Sequence, residues 1–282
     1  LRRKFLLPAQ SRQRRLRGRF AHLCNRGNGL HSVDSKTQSA HDRARVIHQR
    51  MIKIRKAQAR GHADHGWLKT FHSFSFANYY DPQHMGFRHL RVLNQDVMEA
   101  GMGFGEHGHR DMEIISVVLE GALEHRDSLG NGSVIHAGEI QLMSAGTGIT
   151  HSEFNHSKDA PMSFLQMWIL PNQKSLVPSY AQQAIPQQPR RNAWCLLVSP
   201  DGRADSLPIH QDVCLYVTQL DPGKTLTFTL AEGRHAWLQV IHGSASLHGL
   251  LLADGDGVAV SEETSLELVA TRTAEILLFD LA

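Results

Sequence analysis

Cysteine is scarce in this chain of 282 residues, and Cys24, Cys195 and Cys214 are widely spaced. Three such cysteines exclude a disulfide framework and a cysteine-ligated zinc site, and the pattern is typical of a reducing compartment. Long apolar runs are also absent, because none approaches the ~18 residues of a membrane span. The run from Phe5 to Leu7 is too short for the apolar segment of a secretory signal. We therefore expect a cytoplasmic protein with no membrane partner.

Acidic residues are nearly missing from the first fifty positions, which hold 13 Lys and Arg but 2 Asp and Glu. The remainder holds 17 basic and 25 acidic residues, so a segment of net charge +11 precedes a body of net charge −8. Because nucleic-acid-binding surfaces are basic, we expect the acidic body to bind no nucleic acid. Residues 1–50 lack apolar periodicity, and we expect them to be a basic, disordered N-terminal extension without a catalytic role.

Helical periodicity is nearly absent after residue 50. Short apolar or alternating runs are separated by Gly, Pro, Asn and Asp, and such runs are typical of strands. The pattern predicts an all-β fold of sandwich or barrel type, with a turn at His242–Ser244. The clearest predicted strands are Leu90–Met98, Met112–Leu119, Glu139–Met143, Ser163–Leu170, Trp194–Val198, Val213–Leu220, Leu226–Leu230, Ala236–Ile241, Ser265–Val269 and Ile276–Leu281.

A polar segment at Pro171–Arg191, rich in glutamine and proline, divides the body. Strand-rich stretches of ordinary domain size lie on either side of it, which favours two β domains joined by a linker. We expect an N-terminal domain over residues 51–175 and a C-terminal domain over residues 176–282.

Two short patterns point to a metal site: His107-x-His109 and His151-x-Glu153. Residues i and i+2 of a strand face the same side, so each pair projects together. Three imidazoles and a carboxylate suit a first-row divalent metal with one or two open positions. The alternative is exposed strand histidines, which a chain with 19 histidines also supplies.

Longer motifs surround these residues. Gly101-x5-His107-x-His109-x3-Glu113-x7-Gly121 resembles the first cupin motif, and the segment from Gly138 through His151 to Asn155 resembles the second. The segments Met143–Asn155 and Gly66–Pro82 are similar to those of the pirin branch of the cupins. The chain from about residue 51 to residue 282 thus resembles pirins, in particular bacterial pirin-like quercetin 2,3-dioxygenases.

The resemblance implies a bicupin of two tandem jelly-roll β-barrels, with one divalent transition metal in the N-terminal barrel. The ligands it implies are His107, His109, His151 and Glu153. Glu113 is a ligand position in many cupins, but pirins take the fourth ligand from the second motif. The C-terminal barrel is expected to bind no metal, because it has no His-x-His or His-x-Glu pattern and because His235, His242 and His248 are not at ligand spacing.

The implied activity is that of a metal-dependent dioxygenase that cleaves a flavonol or a similar planar enol with O2 and releases carbon monoxide. Glu153 is expected to serve as metal ligand and general base. Family likeness favours Fe(2+), although the ligand set also accepts Ni, Co, Mn, Cu or Zn. The candidates for an apolar substrate mouth are Phe71, Phe74, Phe76, Tyr79, Phe104 and Phe154.

An alternative function keeps the same ligands. Some pirins resemble redox-sensing regulators, in which bound iron changes a surface that binds protein partners. A monomer is expected in either case. Seven further histidines in or near this half are interpreted as solvated or hydrogen-bonded, with room for one or two supporting roles near Gly61–Tyr80; they are His62, His65, His72, His84, His89, His125 and His156.

Overall fold

The computed structural model describes residues 51–282; the predicted N-terminal extension lies outside this range. These residues form twenty strands and two single 3-10 turns, Ala57–Ala59 and Arg203–Asp205. No helix between residues 51 and 282 is long and apolar enough to cross a membrane. The strands are β1 (Ile52–Arg55), β2 (Gly61–Asp64), β3 (Leu68–His72), β4 (Leu90–Met98), β5 (Gly103–His109), β6 (Glu113–Glu120), β7 (Ala122–Asp127), β8 (Gly132–His136), β9 (Glu139–Ser144), β10 (Ile149–Asn155), β11 (Met162–Ile169), β12 (Ser179–Ala184), β13 (Cys195–Ser199), β14 (Leu207–Pro208), β15 (Val213–Leu220), β16 (Thr225–Thr229), β17 (His235–Leu247), β18 (Leu250–Ala253), β19 (Gly257–Val260) and β20 (Ser265–Leu281).

Three sheets make up the described chain. A seven-stranded sheet in the order β12-β9-β6-β11-β4-β3-β2 packs against a four-stranded sheet in the order β5-β10-β7-β8. Apolar side chains from both sheets meet in the space between them, among them Phe164 of β11, Leu123 of β7 and Ile135 of β8. A nine-stranded sheet of β1, β13 to β20 forms the C-terminal part.

The sheets exchange strands across the predicted domain limits. β1 pairs with β19 of the C-terminal sheet, and β12, inside the predicted linker, pairs with β9 of the seven-stranded sheet. Main-chain hydrogen bonds therefore hold β1 and β12 in sheets that their positions in the sequence do not indicate. The division at residues 175 and 176 stays a prediction.

The predicted turn at His242–Ser244 is wrong. Those residues lie inside β17, which shifts its register against β20 there. Gly243 has φ +83°, and a Cβ on it would collide with the carbonyl oxygen of Thr273. The glycine therefore marks a β-bulge that bends a long strand, a use of glycine that mimics a turn signal in sequence.

The two faces of the seven-stranded sheet differ in chemistry. One face packs against the C-terminal sheet, with Leu93, Leu165 and Met167 in the same buried cluster as Leu215 and Phe279. This is the largest buried cluster in the described chain, and it holds the two barrels together by removing apolar surface from water.

The opposite face carries a polar row across the sheet. The register places six side chains side by side on successive strands, namely Gln182, Gln141, Ser116, Gln166, Asn94 and His72. All of them except Gln182, which lies on the edge strand, are buried. Because burying polar groups costs free energy unless they find partners, this row marks the part of the barrel interior where a polar function is expected.

We predict that Gly243→Ala destabilises the protein by about 1–3 kcal/mol more than Gly233→Ala, because the added methyl group overpacks the bulge. Gly233 is the matched control, since its φ is +77° but nothing lies within 4 Å of an added Cβ. Chemical denaturation of both variants measures the difference. Equal free energies of unfolding would contradict the assignment of a close approach at Gly243.

Candidate metal centre

The pairing of β5 with β10 brings the three predicted histidines together. The strands are antiparallel, with His107 opposite His151 and His109 opposite Ile149. The Nε2 atoms of His107 and His151 lie 3.0 Å apart. One nitrogen from each of His107, His109 and His151 falls in a group whose members all lie within 4.8 Å of one another.

A bulge in β5 shapes the site further. Between His151 and Glu153, β10 advances two residues while β5 advances three, so Glu153 pairs with Phe104. Strict alternation would put Phe104 and His107 on opposite faces of β5. The bulge places both in the lining of one cavity. Gly103 permits the close approach, because a Cβ there would collide with Glu153 and Phe154 of β10.

The bulge also sets the tautomer of His107. Its Nδ1 lies 2.8 Å from the carbonyl oxygen of Gly105, which can only accept a hydrogen bond. Nδ1 therefore carries the proton and donates it, and the lone pair of the neutral ring lies on Nε2. Nε2 is the atom that faces His151.

A chain of two residues sets the tautomer of His151. The Nε2 of His125 lies 3.1 Å from Oδ2 of Asp127, so it donates there and leaves the lone pair of His125 on Nδ1. The Nδ1 of His151 lies 3.5 Å from Nδ1 of His125. Because Nδ1 of His125 can only accept in this long contact, Nδ1 of His151 carries the proton and donates it. The lone pair of His151 is then on Nε2.

Two lone pairs thus face each other across 3.0 Å. They repel unless a cation lies between them, and two nitrogens at ~2.1 Å from one ion at a right angle are ~3.0 Å apart. Burial, together with His107, lowers the pKa of His109 to about 4 and of His151 to about 3. Both rings are therefore neutral near pH 7, the form in which imidazole binds a metal.

Glu153 is the carboxylate beside these rings. It is 1% exposed, its Oε2 accepts a 2.9 Å hydrogen bond from Nε2 of Gln166, and its Oε1 has no partner among the described residues. Burial raises the pKa of Glu153 to about 7. A carboxylate oxygen of Glu153 also falls within 4.8 Å of nitrogens of His125 and His151. An unpartnered buried carboxylate oxygen beside nitrogen lone pairs suits a divalent cation.

Glu113 lies elsewhere. Its Oε1 accepts a 2.6 Å hydrogen bond from the hydroxyl of Ser144 and lies 3.4 Å from Nδ1 of His210. Glu113 belongs to neither of the two groups of potential ligands found among residues 51–282. Oε2 of Glu113 is also buried without a hydrogen-bond partner among the described residues, so it is the nearness of Glu153 to His151 that favours Glu153 as the fourth ligand, which stays a prediction.

A cavity of about 250 Å³ opens beside the histidines. His107, His109 and Glu153 line it, and so do three aromatic side chains, Phe76, Phe104 and Trp168. Trp168 contacts the edge of His109, with ring centroids 5.0 Å apart, and Phe76 packs at a right angle against Trp168. The lining thus combines aromatic side chains with a small number of polar groups, as in small-molecule sites.

The other aromatic candidates serve elsewhere. Phe74 packs against Trp237 in the core between the barrels, and Phe71 stacks on His62. Tyr79 accepts a hydrogen bond from Arg55, and Phe154 packs where β5 approaches β10.

Sequence reasoning missed three residues of the site: His125, Gln166 and Trp168. Gln166 and Trp168 are two apart within the predicted strand Ser163–Leu170, so parity alone places them on one face. No motif indicated that this face lies against Glu153. His125 was interpreted as an ordinary histidine, although the same parity pairs it with Asp127.

Comparison with known proteins matches two family models to this chain. The family model described as Pirin matches residues 53–169, and that described as the quercetinase C-terminal cupin domain matches residues 196–281. The chain is 47% identical to a quercetin 2,3-dioxygenase of Escherichia coli strain K12, over 82% of this chain and 99% of the relative. The chain belongs to the pirin family. The predicted bicupin fold is confirmed, and so is the predicted enzyme class, a quercetin 2,3-dioxygenase-like oxidoreductase.

Two further relatives are informative. The crystal structure of the bacterial pirin YhhW of Escherichia coli in complex with nickel(II) is 47% identical and superposes with a TM-score of 0.79, covering 82% of this chain and 99% of that one. A pirin-like protein of Caulobacter vibrioides is 39% identical over 82% of this chain and 100% of the relative. A divalent metal in a pirin of this similarity agrees with the ligand chemistry of the site.

We predict that His125→Ala weakens binding of a divalent metal about 10–100-fold, because His151 loses the acceptor that orients it. Titration calorimetry with Ni(2+) or Fe(2+) measures the affinity. His136→Ala is the matched control, since it removes an exposed histidine from the neighbouring β8. Unchanged affinity in His125→Ala would contradict the orienting role.

We also predict that Glu153→Gln lowers the bound metal content, whereas Glu113→Gln retains it. The amide removes the negative charge but keeps the size of the side chain, so the comparison isolates the ligand. Elemental analysis after gel filtration is the measurement. Metal lost from Glu113→Gln and kept in Glu153→Gln would reverse the assignment.

Proposed function

We propose that this pirin is a metal-dependent dioxygenase that cleaves a flavonol or a similar planar enol with O2 and releases carbon monoxide. The observation that carries the proposal is the buried, unpartnered Oε1 of Glu153, which lies near His151 and in the same aromatic-lined cavity as His107 and His109. The names of the relatives agree with it.

The proposed metal ligands are His107, His109, His151 and Glu153. A divalent transition metal bound there would make a coordinated hydroxyl more acidic and supply redox chemistry for O2 as co-substrate. We propose Fe(2+) as the native ion on family likeness, and the nickel(II) complex of the Escherichia coli relative makes Ni(2+) the second ion to test.

Glu153 has the geometry of a general base. Gln166 holds Oε2 by a hydrogen bond, which fixes the carboxylate plane and leaves the two lone pairs of Oε1 for the metal and for the proton of the substrate hydroxyl. Burial keeps competing water away from this oxygen. A base whose partner atom is held in place loses little orientational freedom when the proton moves.

The cavity walls suit a flat substrate. Trp168 packs against His109 and Phe76 packs against Trp168, whereas Phe104 is the register partner of Glu153 on the neighbouring strand β5. Aromatic faces and edges bind a planar ring by dispersion and quadrupole contacts with little strain. The histidines and Glu153 then meet the vicinal hydroxy-ketone that a flavonol carries on its central ring.

The experiment uses the full chain loaded with Fe(2+) in the absence of air. After O2 is admitted, loss of quercetin absorbance and release of carbon monoxide are followed together. We expect one carbon monoxide per flavonol consumed, and a kcat lowered at least ~100-fold in Glu153→Gln. Glu106→Gln, an exposed carboxylate of the same β5, is expected to keep wild-type turnover.

Tight iron binding without carbon monoxide would contradict the enzymatic proposal. That result would favour the redox-sensing alternative, in which the bound iron acts through protein partners. The cytoplasmic location and the monomeric state remain predictions made from the sequence.

A further inference from the structure

The cavity has a second polar region, away from His107 and His109. Every second residue of β4 and β11 faces the barrel interior, which gives three neighbouring residue pairs there: Trp168 with Val92, Gln166 with Asn94, and Phe164 with Asp96. Gln166 of the middle pair donates a hydrogen bond to Glu153. Since a strand rises ~3.3 Å per residue, Asp96 lies ~7 Å along β4 from Asn94 of the middle pair, on the side away from Trp168.

Asp96 is a buried carboxyl without a full set of partners. It is 3% exposed and lines the cavity, yet its Oδ1 has no hydrogen-bond partner among residues 51–282. Burial raises the pKa of Asp96 to about 7, and the hydroxyl of Thr70, opposite it on β3, offsets part of this rise. An unpaired buried polar atom destabilises the folded protein, and in a cavity wall a bound ligand can supply the missing partner.

We propose that Asp96 is a specificity-determining residue, which binds through Oδ1 a second hydroxyl of the substrate, remote from the hydroxyl that faces Glu153. The inference rests on the proposed function and narrows its substrate class to planar enols that carry a hydroxyl on an outer ring.

The neighbours of Asp96 support this assignment. Thr70 and Asn94 line the same end of the cavity, but Asn94 is engaged with Nδ1 of His72 at 2.9 Å. Leu68 and Phe104 supply no competing hydrogen bond from their side chains, and the ring of His65 is the other polar group in the lining there. Among the carboxyl and amide oxygens at this end, Oδ1 of Asp96 is thus the one without a partner among residues 51–282. A site built around a buried acceptor discriminates against an analogue that lacks the hydroxyl, because the acceptor then stays unpaired.

The test compares two flavonols that share the reacting hydroxy-ketone. Quercetin carries hydroxyls on its outer rings, and 3-hydroxyflavone carries none. In the wild-type full chain loaded with Fe(2+), we expect quercetin to exceed 3-hydroxyflavone in kcat/KM at least ~10-fold, and Asp96→Ala to bring the two within ~3-fold of each other. Asp96→Asn keeps the shape and a hydrogen-bonding oxygen, so it is expected to keep part of the preference.

A second readout is independent of turnover. Quenching of tryptophan fluorescence without O2 gives the Kd of each flavonol, and we expect Asp96→Ala to weaken quercetin far more than 3-hydroxyflavone. Ser73→Ala is the control, since it removes a buried, unpartnered hydroxyl that does not line the cavity; its quercetin preference should match the wild type.

The outcomes separate the inference from the function on which it rests. If the wild type cleaves both flavonols and Asp96→Ala lowers both kcat/KM values equally, the role in specificity is overturned while the dioxygenase stands. If the wild type neither binds nor cleaves either flavonol, the proposed function itself fails.

Discussion

The register between β5 and β10 is the constraint on which the site depends. It sets His107 opposite His151, and the bulge that follows brings in Phe104 and offers the Gly105 carbonyl to His107. A slip of one residue would turn every one of these side chains to the other face of its strand. The paired lone pairs at 3.0 Å exist only in this register, so the same hydrogen bonds that close the barrel also assemble the metal ligands.

The polar groups that the site needs are unfavourable to bury in the barrel interior. A row of buried polar groups crosses the seven-stranded sheet, and apolar clusters lie on both sides of it, around Phe164 at one end and around Met143 at the other. The apolar layers exclude water from Glu153 and Asp96 and raise the pKa of both carboxyls. The large core against the C-terminal sheet compensates, since it stabilises the sheet from its outer face without entering the site.

Parity in strands predicts part of this arrangement. His107, His109, His151 and Glu153 could be grouped because residues two apart share a face, and the runs Leu90–Met98 and Val213–Leu220 are strands with those limits. Parity fails where the backbone departs from regularity, as at Phe104 and in the strand around Gly243. Parity also gives no information on contacts between residues distant in sequence. The positions of Gln166 and Asp96 in the cavity and the pairing of β1 with β19 therefore could be found only in the folded chain.

The position of the bound metal decides whether Glu153 or Glu113 is the carboxylate ligand. Anomalous diffraction from a crystal of the metal-loaded protein, recorded at the absorption edge of the bound ion, measures this directly. We predict one strong peak in the N-terminal barrel, about 2.0–2.2 Å from Nε2 of His107, Nε2 of His151 and a carboxylate oxygen of Glu153. A peak beside Glu113 and His210 instead, with none between His107 and His151, would contradict it.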